Sequence, residues 1–151
     1  MEASINTMSE RAKENNWETL LQIKTDGLDD VNSDEHHYRY EPTLYRVLER
    51  LAESGLFGAG DTVLDYGCGK GRVCFFLSHR TKAEAIGIEY DERLYGAALE
   101  NRKTAAAGAT FVLTRAEEYE VPSFVNRCFF LQSLFRCSSS KGDVQGYGIL
   151  V

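Results

Sequence analysis

"VLDYGCGKGRV", Val63 to Val73, decides how this chain is read. It follows an apolar, partly β-branched run and places Gly67, Gly69 and Gly71 within five residues. "GRVCFFLSHR" (71–80) then reads as a helix. A strand, a bare turn and a helix in that order have one common use. The glycines allow unusual dihedrals and let a ligand lie against the backbone. The helix N-terminus adds free N–H groups and a positive dipole end. Asp65 stands just before the turn. A carboxylate there repels a pyrophosphate and suits an ammonium group.

Outward from this stretch the pattern repeats. "AEAIGIE" (83–89), "TFVLT" (110–114) and "RCFFL" (127–131) read as strands, and "DERLYGAALENRKTAAAG" (91–108) as a helix with Leu94, Ala97, Ala98 and Asn101 on one face. Strands alternating with helices imply right-handed βαβ units and a parallel sheet, hence an α/β, Rossmann-like doubly wound fold. Two helices precede it. Residues 7–24 have capping-box spacing between Thr7 and Glu10, a face of Trp17, Leu20, Leu21 and Lys24, and a stop at Gly27. A second helix starts near Pro42, with Leu44, Val47, Leu48 and Leu51 at helical spacing.

Glu89 ends the second strand, 24 residues after Asp65, where a doubly wound site places the acid that accepts ribose hydroxyls. A ribose with an ammonium and no pyrophosphate describes S-adenosylmethionine. At these residues the chain resembles the class I S-adenosylmethionine-dependent methyltransferases. "LDYGCGKGR" looks like their first motif, and "GIEYDERLYGAALEN" like the segment carrying the second acid. A bacterial group with a D-x-GCGKGR motif is more similar still, since "YRYEPT" (38–43) matches its upstream piece.

The resemblance implies an S-adenosylmethionine site. Asp65 would lie at the methionine end of the cofactor, with Tyr40 and Thr43 nearby in the piece that folds over it. Gly67, Cys68, Gly69 and Gly71 would give the bare loop, Glu89 would hold the ribose, and Tyr90 would lie beside the adenine. In "TRAEEY" (114–119) the family often has an acid followed by alanine, and this chain has Arg115 in the acid's place, so either Glu117 takes over beside Ala116 or adenine recognition is weaker. No catalytic residue and no metal site is assigned.

Other features have plainer readings. Lys70 and Arg72 read as solvated, Tyr38, Tyr40 and Tyr45 as core or surface aromatics, and His36 and His37 as exposed linker residues. Cys68, Cys74, Cys128 and Cys137 have no CxxC spacing and read as buried free thiols. The chain of 151 residues carries a net charge of −6, which disfavours a nucleic-acid binder relying on phosphate neutralisation. No apolar run suits a membrane span or a signal peptide, so a cytoplasmic address is expected.

The organisation expected is an N-terminal helix and connector (1–37), a nucleoside-binding Rossmann-like domain (38–130) and an aberrant tail (131–151). The family sheet has seven strands in the order 3-2-1-4-5-7-6, and four are visible here. Read one base later, degenerate codons for "LQSLFR" can spell Phe-Asn-Pro-Phe-Ser-Val, close to the motif such relatives carry after their fourth strand. A frameshift or truncation is therefore expected, with the acceptor-binding half lost. The edge of the fourth strand would be covered by "YGILV" or by a second copy of the chain, and a homo-oligomer or poor solubility is expected. The function expected is methyl transfer to an unknown acceptor. The alternatives are a non-catalytic cofactor-binding remnant, an NAD-binding Rossmann domain, and a structural oligomerisation domain.

Overall fold

A computed structural model describes residues 9–27, 40–131 and 147–150. Side chains are described through Phe130. His36, His37, Tyr38 and Cys137 lie outside these residues, as do Thr7 and most of the stretch expected to be frame-shifted.

The sheet is built as the strand–helix rhythm requires. β1 (Thr62–Tyr66), β2 (Glu84–Glu89), β3 (Thr110–Leu113) and β4 (Arg127–Leu131) run parallel in the spatial order β3-β2-β1-β4. Helices α3 (Arg72–Thr81) and α4 (Glu92–Thr104) make the crossovers β1–β2 and β2–β3. β1 is central, and Val63 and Leu64 are buried in it, as expected for a parallel strand covered on both faces. β5 (Tyr147–Leu150) pairs antiparallel with β4, Phe129 opposite Ile149. "YGIL" therefore occupies the β4 edge, the first of the two coverings considered from the sequence.

α1 (Glu10–Leu21) is shorter than its pattern suggested. Its cap is Ser9, whose hydroxyl accepts the Ala12 N–H. It stops at Gln22 in the left-handed region, not at Gly27, because the Gln22 and Ile23 N–H groups already close the last turn on Thr19 and Glu18. Leu20 faces solvent at 53% exposure and Lys24 is exposed, while Ile23 and Thr25 are buried. The chain beyond Leu21 is no longer helical, so helical spacing does not govern which of residues 22–25 turns inward.

α2 (Tyr45–Glu53) starts three residues after Pro42, capped by Leu44. Leu44 lies outside the helix and is partly exposed, and Tyr45 with Leu48 forms the buried face. Trp17, Tyr45 and Phe76 join α1 and α2 to α3. Trp17 meets Phe76 edge-on at 4.7 Å and stacks on Tyr45 at 5.9 Å, and its indole N–H donates to Glu49.

The glycines serve packing as much as approach. Gly67, Gly69 and Gly71 all have positive φ. A Cβ on Gly71 would lie 2.8 Å from both the Phe111 and Phe75 rings, and one on Gly69 would run into the Tyr40 ring. At these two positions side chains of the protein itself fill the space that the sequence assigned to a ligand.

Gly71→Ala should destabilise the fold by about 3 kcal/mol, combining left-handed strain with overpacking. Urea unfolding, with the urea dependence unchanged, reads this directly.

Candidate functional site

Parallel pairing brings the two acids together. Asp65 is the fourth residue of β1 and Glu89 the last of β2. With Asp65 in register with Gly87, both carboxylates reach the carboxyl end of the sheet beside the glycine turn. The turn is pinned there by backbone bonds. Cys68 N–H donates to the Ile88 carbonyl, and Gly71 N–H to the Cys68 carbonyl, each at 2.9 Å.

The environments of the two acids differ. Glu89 is buried, yet its carboxylate accepts three backbone N–H groups: Gly69 at 2.9 Å, Tyr90 at 2.9 Å and Asp91 at 3.0 Å. Burial raises its pKa and these bonds pull it down, with a net rise. Asp65 is 3% exposed, and its one described hydrogen bond is from the weak Cys74 thiol at 3.8 Å. Burial, then the Glu89 charge, push its carboxyl well above the usual range. Among the described residues no cationic side chain pairs with it.

The remaining expected residues fall around this pair. Tyr40 lies on Gly69, and its hydroxyl donates to the Thr25 carbonyl. Burial raises the pKa of Tyr40, so that hydroxyl keeps its proton. Thr43 is buried, and its carbonyl accepts from Arg72. Cys68 is buried with its thiol against Gly87, and its pKa is driven up by burial. Gly67 is exposed at the mouth of the turn. Tyr90 follows Glu89, and the Arg115 guanidinium sits 6.0 Å from its ring. Ala116 and Glu117 lie in a 3-10 turn, Ala116–Glu118, after β3. Glu117 is exposed and forms a long 3.8 Å pair with Arg115.

One reading is corrected here, and one left open between two alternatives is decided. Arg72 is not solvated: it is 2% exposed and hydrogen-bonded through all three guanidinium nitrogens. Tyr45 is core, with its hydroxyl donating to Glu18 at 2.6 Å. The sequence also missed Cys74, Thr25 and Asn101. An arginine opening the apolar run "RVCFFL" was the one available hint, since Arg72 heads six consecutive buried residues.

Residues 57–129, just under half of the chain, match a family model described as a methyltransferase domain. An RNA methyltransferase from Salinibacter ruber, solved in complex with S-adenosyl-L-homocysteine, superposes with a TM-score of 0.53 at 20% identity, covering 72% of this chain and 90% of that one. The fold is that of a methyltransferase domain. The YcgJ protein from Bacillus subtilis (TM-score 0.44, 21% identity) is covered over 33% of its length by 52% of this chain. For a tRNA (uracil-54, C5)-methyltransferase from Pyrococcus abyssi (0.46, 20%) the shares are 22% and 62%. The chain thus spans a third or less of those two proteins. No curated protein matches the sequence. In the methyltransferase fold found here, the described helices include none long and apolar enough to cross a membrane.

Asp65 carries a cost in the free protein. A carboxyl whose pKa is raised by folding favours the fold below its unfolded value, about 4, and that contribution is lost as pH rises through the folded value. At pH 7, above the unfolded value, keeping this carboxyl buried costs stability. Asp65→Asn should therefore raise the melting temperature by about 3–6 °C at pH 7 and lose that advantage in acid. Scanning calorimetry across pH checks this.

Proposed function

We propose that the chain binds S-adenosylmethionine at the carboxyl ends of β1 and β2 and belongs functionally with the methyltransferases. The observation that carries this reading is Asp65, a buried carboxylate beside a glycine turn with no described cationic partner. A ligand ammonium would supply the missing charge, whereas a pyrophosphate would meet two carboxylates. The family match over 57–129 and the fold support the same conclusion.

The donor set fits such a ligand. Asp65 would take the amino group of the methionine part. The backbone of Gly67, Cys68 and Gly69 would run along that part, with Tyr40, packed on Gly69, and Thr43 nearby and Gly71 opening the helix beneath. Glu89 would hold the ribose through one hydroxyl, since a carboxylate offers about four acceptor directions and three N–H groups use three of them. Tyr90, with Arg115 over its ring, would form one wall for the adenine, and Ala116 and Glu117 the rim.

When bound, the cofactor supplies an electrophilic methyl carbon on a sulfonium. The protein's share is positioning and exclusion of water. The resemblance places acceptor-binding residues after the fourth strand, and here most of that stretch, 132–146, lies outside the described residues. The acceptor is accordingly left open.

Calorimetric titration with S-adenosylhomocysteine tests this reading. Binding that NAD does not compete away is expected. Asp65→Asn should weaken it about 10- to 100-fold, the worth of a charge-assisted bond, while stabilising the free protein. Opposite signs for stability and affinity in one variant mark a binding residue. Absence of binding, or competition by NAD, overturns the proposal.

A further inference from the structure

A second polar constellation lies beneath the glycine turn. Arg72 is the first residue of α3, immediately after Gly71, and every arm of its guanidinium is used. Nε donates to the Thr25 hydroxyl at 2.6 Å. Nη1 donates to Glu14 and to the Thr43 carbonyl, the latter at 3.0 Å. Nη2 donates to Glu18 at 3.2 Å, and the Tyr45 ring lies 4.3 Å from the guanidinium carbon. A planar fork with five donors can meet carboxylates, a hydroxyl and a carbonyl together, which a lysine ammonium cannot.

The cluster does more than join helices. The Thr25 hydroxyl donates to Glu18, and the Thr25 N–H donates to the same carboxylate at 2.6 Å. With its hydroxyl and N–H so held, Thr25 presents its carbonyl to the Tyr40 hydroxyl. The Tyr40 ring in turn lies against Gly69, whose N–H bonds Glu89. The same segment is pinned from the opposite side. The Asn101 side chain accepts the Lys24 N–H at 2.8 Å and donates to the Lys24 and Lys70 carbonyls. The Lys70 ammonium reaches the Asp26 carbonyl at 3.2 Å and sits 4.9 Å from the Tyr40 ring centre.

We propose that Arg72 is a positioning residue of the nucleoside site. It fixes Thr25, Thr25 fixes Tyr40, and Tyr40 holds the turn at Gly69 in the shape that receives the ligand. α1 and residues 23–26 thereby become part of the wall of the site, and binding costs less because the wall is already ordered. This deepens the nucleoside reading and rests on it.

The test uses the full chain and two mild changes. Tyr40→Phe removes the hydroxyl that reaches Thr25 and leaves the ring on Gly69. Thr25→Val removes the hydroxyl that Arg72 holds, and Thr25→Ser restores it. Each of the first two should weaken S-adenosylhomocysteine about three- to tenfold, with recovery in Thr25→Ser. Their combined effect should be smaller than the product of the single effects, because both break one route. Hydrogen exchange at the amides of 69–72 should quicken in both without ligand.

Should Thr25→Val fail to fold, Tyr40→Phe alone still decides the matter by affinity and exchange. Wild-type affinity retained in Tyr40→Phe, or single effects that multiply, overturns the positioning role and leaves the nucleoside reading intact. A wild-type chain that binds no S-adenosylhomocysteine overturns both.

Discussion

Two carboxylates taken out of water at the ends of adjacent parallel strands are the constraint on which the rest of this molecule turns. Their closeness follows from register, because β1 and β2 run parallel and end together. Their fates differ because Glu89 points at backbone donors and Asp65 at a thiol. Among the described residues one carboxyl is met by backbone donors and the other by no cationic or N–H partner. A fold keeps an uncompensated buried carboxylate at a cost in stability, and such a cost is usual where a ligand carries the opposite charge.

The glycine turn between these acids is shaped as much by the protein as for a ligand. Phe75 and Phe111 crowd Gly71, and Tyr40 lies on Gly69. The two aromatic rings meet each other edge-on at 5.4 Å, so the turn is packed into the core through α3 and β3. This rigidity suits a site whose backbone must stay in place when a small ligand arrives.

The N-terminal helix belongs to the same arrangement. Arg72 collects Glu14 and Glu18 from α1, Thr25 from the segment after it, and Thr43 from the approach to α2. Buried ion pairs stabilise only when geometry and remaining hydrogen bonds are complete. That condition is met here, since both carboxylates have further partners in Tyr45 and Thr25. The cluster explains why a helix with a largely polar sequence docks firmly beside an α/β sheet.

Much of this was legible in the residues. The strands between 62 and 131, their helices, and the juxtaposition of Asp65 with Glu89 follow from period, β-branched runs and spacing, all of which are local. Ser9 as cap and Gln22 as stop were missed because several nearby residues could serve and only the path of the following chain selects among them. The burial of Arg72 was hinted at only by the apolar run that follows it: its partners lie 29 to 58 residues away, and a basic residue at a helix start looks solvated until they are known. Short-range chemistry thus dictated the order of elements and the acids at the glycine turn. Long-range packing completed the compensation, since Gly69 reaches Glu89 from 20 residues away and Glu14 and Glu18 reach Arg72 from more than 50.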